Sequence, residues 1–549
     1  MKKLLTVFLA AALALTIVGC APKVRDDDQF LEIYVLDVGY GKDWCDAIAD
    51  EFKKQDWVKE KYPNLDIGIQ FNDIVSYGAS KVEGGPAANS IDLIFDEQGS
   101  TMADKYLNGE RIVCDLTEVV FNQKVPGEDV YYKDKMLPSI RDSSRYLAAG
   151  YTGEEEAQYF YAPWYIGMAG INYNEEILDA FNLEVPLTTD QWLDSMEVIK
   201  QANGSNPAYP YTYSLLQSKD APNYCEYLMP VWWAQYSGSD EYANFYSGIV
   251  NGRRSKDIFK NMGRLYNLEV MEEAFRYDNG YLSPSSFQQD YMITQTQVIS
   301  GEAVYYICGD WFDREMIGVR EEMEEANRTV YNTKMMRTPI VSAIVEKTPS
   351  IVSVAENDGD PDTDADDILA EVVKAVDAND YSQAPEGVTE TDYETIADAR
   401  RVTMALGSFS SAYVPSYATA KDIAFDFLLF MATDIAQDAY IRATNGASLP
   451  FTYNVKEKNP ELFESISPYQ QARQEYFISE SLPLDILPMP NMFPLARYGG
   501  VGAYTWSNIY TTFSASGNTR HAQDFYDATI AHWTDQKWRE ALAAAALPA

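Results

Sequence analysis

Asp310 and Trp311 close an apolar run that begins at Ala303, and they set a carboxylate beside a large aromatic face at the end of an expected strand. Such a pair suits carbohydrate: pyranose rings offer C–H faces that stack on Trp and Tyr, while their hydroxyls seek charged acceptors. Asp96 and Glu97 end a second apolar run, and Asp37 and Tyr40 follow a third. Trp164, directly after Pro163, is a further aromatic candidate. Trp232 and Trp233 are adjacent, so on a helix at most one points fully inward and the other can line a cleft. Tyr504 and Trp506 add an aromatic pair near the C-terminus.

Other chemistry finds less support. His521 and His532 are the only histidines, which leaves little basis for a Ser-His-Asp triad or a zinc site, and no Gly-x-Ser-x-Gly elbow occurs. Asp360, Asp362, Asp364, Asp366 and Glu371 follow the oxygen spacing of a calcium loop. Ala365, however, stands where that loop needs Gly for its turn, and Pro361 stiffens the entry. The stretch reads as a solvated acidic loop; no metal and no cofactor is expected. A glycosidase would need only two carboxylates about 5 to 9.5 Å apart, a pair that 83 acidic residues do not exclude. No isolated motif presents one, so catalysis is the alternative reading.

These residues need elements to hold them. Residues 30–36 read as a first buried strand, and 65–71 alternate as a second. Residues 91–96 make a third, and an amphipathic helix is expected over 44–61 between the first two. Strand-helix-strand order points to a parallel α/β sheet, whose ligands bind at the carboxyl ends of the strands. The loops beginning at Asp37, Asn72 and Asp96 should therefore face a common site. Thr188, Thr189 and Asp190 cap a helix carrying Trp192, Met196 and Ile199 at helical spacing. Residues 356–397 are acidic at first, then patterned through Ile368, Val372 and Val376, and read as a surface insertion. A strongly apolar helix is expected from Lys421.

The N-terminus has Lys2 and Lys3, an apolar run over 4–18, then Gly19 and Cys20. The run is too short for the ~20 residues of a spanning helix and has a signal peptide's charge order. Residues 15–20 resemble a lipobox, so residues 1–19 are expected to be a signal peptide, Cys20 a lipidation site, and 20–29 a tether. The remaining length favours at least two lobes. Against 83 acidic residues stand 43 basic ones, a net charge of −40. That sign argues against nucleic acid and against adhesion to anionic lipid through a basic face, leaving the membrane contact to the acyl anchor. Cys45, Cys114, Cys225 and Cys308 suggest no particular pairing.

Four landmarks in order resemble family 1 extracellular solute-binding proteins of carbohydrate ABC transporters, the group that includes maltose-binding protein. They are Ile91-Asp92-Leu93-Ile94-Phe95-Asp96 leading to Asp115-Leu116-Thr117; residues 161–174 ending in Tyr173-Asn174; the Thr-Thr-Asp-Gln-Trp start at Thr188; and Gly301-Glu302-Ala303 running to Gly309-Asp310-Trp311. Residues 421–439 followed by Asn445-Gly446-Ala447-Ser448-Leu449-Pro450 resemble the family's late helix and turn. The chain is longer than a typical member. The resemblance implies a type II periplasmic-binding-protein-like α/β fold, with two lobes joined by crossing strands around a ligand cleft. One lobe would hold 30–163 and 402–445, the other 164–401 and 446–549. It also implies a lipid-anchored receptor on the extracellular face of the membrane, expected to be a monomer, that hands a sugar to permease subunits.

Overall fold

The computed structural model describes residues 29–146, 158–202, 212–219, 224–358, 360, 363–405, 410–477, 479, 481–502 and 508–548. Cys20, Asp362, Tyr504 and Trp506 lie outside the described residues.

Eight strands build the two main sheets: β1 (Phe30–Leu36), β2 (Asp66–Asn72), β3 (Leu93–Asp96), β4 (Ala169–Asn174), β5 (Tyr213–Leu216), β6 (Ala303–Gly309), β7 (Thr333–Met336) and β8 (Ser411–Tyr413). In the first sheet the order is β8-β3-β1-β2. β1 runs parallel to both neighbours, with Ile33 opposite Ile69 and Leu93, and β8 is antiparallel to β3. Leu31, Ile33, Tyr34, Val35 and Leu36 are all buried, as expected where helices cover both faces of a parallel sheet. The second sheet has order β7-β4-β6-β5. There β6 is antiparallel to β4 and parallel to β5, and β7 is antiparallel to β4.

Paired crossing segments join the sheets. Ala162 pairs with Ala412 at the first sheet, Met168 pairs with Ala405 beside the start of β4, and Ile166 pairs with Ser448. Each sheet carries its own apolar core. Among the described residues no helix is long and apolar enough to cross a membrane. Cys45, Cys114, Cys225 and Cys308 are free thiols.

Two sequence expectations change. The helix expected over 44–61 is two helices, Asp43–Lys54 and Asp56–Lys61, separated by an extended Gln55. Trp44, Ile48 and Phe52 recur every four residues on one face, but Val58 comes six after Phe52 and would leave that stripe; the break at Gln55 turns it back inward, where it is buried. Residues 356–397 are not a surface addition. Helix Ala365–Asp377 buries Ile368, Leu369, Val372, Val373 and Val376 in the second lobe's core, and Tyr393 and Ile396 of helix Glu390–Arg401 join them. Three of the acidic residues serve the helix start: Asp364 and Asp367 form a reciprocal capping box, and Asp366 accepts a 2.6 Å hydrogen bond from Thr188 Oγ1.

Candidate functional site

The three strand ends of the first sheet do converge. Asp37 to Gly41 after β1, Asp73 and Val75 after β2, and Glu97 after β3 form one wall of a cleft of ≈ 560 Å³. Tyr224, Tyr291, Met292, Trp311 and Glu315 form the other, with Tyr165 of a crossing segment between them. The loop after β1 is held by backbone bonding of Asp37 N–H to Asn72 O (2.9 Å) and by Trp44 Nε1–H donating to Gly41 O (3.0 Å). Gly39 and Gly41 take φ of +57° and +74°, a left-handed turn that glycine adopts without strain.

Trp311 stands at the centre. It is half-buried, packs against apolar clusters of both lobes and meets Tyr224 edge-on at 5.8 Å. Its indole folds back over Gly309, where a Cβ would lie 2.1 Å from Cζ3, so the Gly-x-Trp spacing is a steric requirement. Gly167 supplies a second gap: a Cβ there would lie 2.9 Å from Tyr40 Oη and 3.1 Å from Asp310 Oδ1.

Asp310 is fully buried and takes a different role from its neighbour. Its carboxylate accepts from the Tyr40 hydroxyl and from Arg473 Nε. Arg473 also donates to Ile166 O (2.7 Å), Ser448 Oγ (3.1 Å) and Gly446 O (3.4 Å). The cluster ties the β1 loop of one lobe, the β6 end of the other and two crossing segments beneath the cleft floor. Tyr40 belongs to both: it lines the cleft and meets Tyr165 edge-on at 5.3 Å. Burial and the Asp310 carboxylate push its phenol well above the ordinary range.

The cleft carboxylates sit among these rings. Burial raises Glu97, with the Tyr165 hydroxyl drawing it back down. Glu315 is pushed up to about 7 by burial, although Gln295 Nε2 donates to it at 2.8 Å. Near neutral pH its carboxyl can therefore both donate and accept. Aromatic faces and carboxyl groups lining one cleft can hold a polyhydroxylated ring by stacking and by hydrogen bonds to its hydroxyls.

Asp37, Tyr40, Glu97 and Trp311 thus meet in one cleft, and the other candidates among the described residues do not share its surface. Trp232 and Trp233 are both fully buried, because helix Met229–Ser237 is enclosed on every side; Met229 to Gln235 are all buried. Trp232 Nε1 donates to Pro339 O and Trp233 Nε1 to Asn261 Oδ1. Trp164 stacks on Trp44 at 4.7 Å in the first lobe's core, and the next residue, Tyr165, turns to the cleft. Asp96 lies under the floor, where its carboxylate accepts from Tyr413 (2.5 Å) and Gln98 N–H (2.8 Å) and burial pushes it up to about 7. Asp310 is the buried anchor described above.

Sequence reasoning missed Asp73, Tyr165, Tyr224, Tyr291 and Glu315. Asp73 follows the strand-end rule that found Asp37. Glu315 lies one helical turn after Trp311 and so shares its face. Nothing local marks Tyr224 or Tyr291.

No protein-family model matches this sequence, and a search of curated proteins finds no match either. Solved structures do match in shape. The GacH receptor of Streptomyces glaucescens, studied unliganded and with acarbose and an acarbose homolog, superposes with a TM-score of 0.52 at 12% identity, over 94% of this chain and 99% of that one. A structure from work on xylan utilization by Caldanaerobius polysaccharolyticus gives 0.54 at 12% identity, over 92% and 100%. An ABC substrate-binding protein of Listeria monocytogenes in complex with cycloalternan gives 0.53 at 12% identity, over 92% and 98%. The chain has the two-lobed α/β fold of solute-binding proteins, with the cleft between lobes joined by crossing strands.

Proposed function

We propose that this chain is a carbohydrate-binding receptor of the family 1 solute-binding type, lipid-anchored through Cys20 on the outer face of the membrane, that delivers a sugar to an ABC importer. The observation that carries the reading is the interlobe cleft, where Trp311, Tyr224, Tyr165 and Tyr291 line the same space as Asp37, Asp73, Glu97 and Glu315. Rings and carboxyls in this mixture match a sugar's two kinds of surface. Neighbours in fold that were solved with acarbose and with cycloalternan support a ligand of more than one ring. The lobes fall at about 30–163 with 402–445 and at about 164–401 with 446–549, with Trp164, Leu449 and Phe451 packed into the first lobe's core and Val402 and Met404 into the second's, and ligand contacts on both sides favour the closed arrangement. Binding without catalysis is the function proposed.

The test is a titration of intrinsic Trp fluorescence across mono- and oligosaccharides. Saturable change with an oligosaccharide, and no new reducing ends, is the expected outcome. Release of reducing ends would instead make the cleft carboxyls catalytic. Binding of peptides or polyols without any sugar would remove the ligand class. Replacing Cys20 by Ser should move the chain from the membrane fraction to the medium.

A further inference from the structure

The interlobe cleft carries charge of one sign. Among the described residues its lining holds Asp37, Asp73, Glu97 and Glu315 and no Lys, Arg or His. No internal residue outside the described ones is Lys, Arg or His, so none of them can add a cation to the wall. Lys42 and Arg314 are the cations beside the loop after β1, and both pair with Asp43, at 3.2 and 3.8 Å. Arg473 lies under the floor, committed to Asp310. The side chains bonded to Glu97 and Glu315, Tyr165 and Gln295, are neutral. Burial therefore raises both carboxyls with no positive charge to offset it.

The rest of the molecule acts in the same direction. Tyr165, Tyr224, Tyr291 and Trp311 line the same space, and aromatic faces attract cations as well as C–H surfaces. The chain's net charge of −40 draws cations toward the cleft and repels anions. A neutral sugar would stack on the rings and leave four carboxyls without a counter-charge; a sugar acid would add a fifth. We propose, on the carbohydrate reading of this cleft, that its ligand is an amino sugar, whose ammonium pairs with Glu97 and Glu315 while its ring stacks on Trp311.

The experiment measures, by calorimetry on the full chain, the affinities of cellobiose, its diamine chitobiose and its acid cellobiouronate, together with glucose, glucosamine and glucuronate. Each amine should bind about tenfold tighter than its neutral partner, the difference between a charge-assisted and a neutral hydrogen bond, and each acid more weakly than the neutral sugar. In the double variant Glu97→Gln with Glu315→Gln the ratio of amino to neutral affinity should fall toward one. Neutral sugars bound as tightly as the amines, in this set or in the fluorescence panel, overturn the amino-sugar assignment and leave the carbohydrate reading standing. So does an acid bound as tightly as its neutral partner. If no saccharide binds in either set, both fall. An unchanged ratio in the double variant overturns the pairing with Glu97 and Glu315; the comparison of sugars on the unmodified chain stands even if that variant fails to fold.

Discussion

Trp311 presents its ring to the cleft through contacts made with other parts of itself and its surroundings: the indole edge lies on Gly309, one side meets Tyr224, and the Cβ faces Gly39. A stacking platform held in this way loses little freedom when a ligand arrives, so its removal should register in affinity rather than in folding. Trp311→Ala is expected to weaken oligosaccharide binding by at least about 1 kcal/mol, roughly fivefold, with circular dichroism unchanged. Unchanged affinity in the fluorescence titration would take Trp311 out of the site. Asp96 makes the opposite kind of prediction. Its carboxyl is buried and held near about 7, above its value in an unfolded chain. Protons therefore bind the folded state more tightly, and the stability this contributes is full below about pH 4 and lost as pH rises toward 7. The stability difference between the unmodified chain and Asp96→Asn should fall across that window, by up to about 4 kcal/mol. Melting temperatures of both proteins from pH 4 to 8 check this; parallel curves would show that Asp96 does not titrate as stated.

Elements determine which of the legible residues reach the cleft. The strand-end rule worked where strands are parallel and their ends are aligned: β1, β2 and β3 run side by side, and Asp37, Asp73 and Glu97 consequently share a wall. Aromatic content alone could not locate the remaining wall. Trp232 and Trp233 lie on a helix enclosed by other helices, so the inference from one buried face fails when every face is buried. Trp164 and Tyr165 are neighbours in an extended segment, where alternate residues point to opposite sides, and their sequence alone does not say which side is the cleft. Tyr224 and Tyr291 are brought in by pairings far along the chain. The Gly-x-Trp turn, in contrast, was legible and has a steric meaning: β6 must end without a Cβ at Gly309 for Trp311 to fold over it. Gly309→Ala should therefore push the indole outward and lower sugar affinity toward that of Trp311→Ala, with a stability loss of about 1–3 kcal/mol from overpacking. Wild-type affinity in that variant would mean that the ring is positioned by Tyr224 and the lobe clusters alone.

At the scale of the molecule, two sheets with separate cores are connected by crossing segments and by one buried charge cluster. Arg473 and Asp310 are 1% and 0% exposed as side chains, a placement that is costly for ions unless each is fully paired. Pairing is indeed extensive, and its partners belong to different parts of the fold: Tyr40 to the first lobe, Asp310 to the second, Ile166 and Ser448 to the crossings. Arg473→Met would keep much of the side chain's volume while stranding the Asp310 carboxylate, whose remaining side-chain partner is Tyr40. Removing one member of such a pair costs about 3–5 kcal/mol. Because the cluster touches both lobes, the loss should appear in both. Hydrogen exchange at Ile94 and Phe95 in β3 and at Tyr305 and Ile307 in β6 should speed up together in the variant. If exchange rises in β6 alone, Arg473 stabilises the second lobe locally, and the lobes are joined by their crossing strands without help from the ion pair.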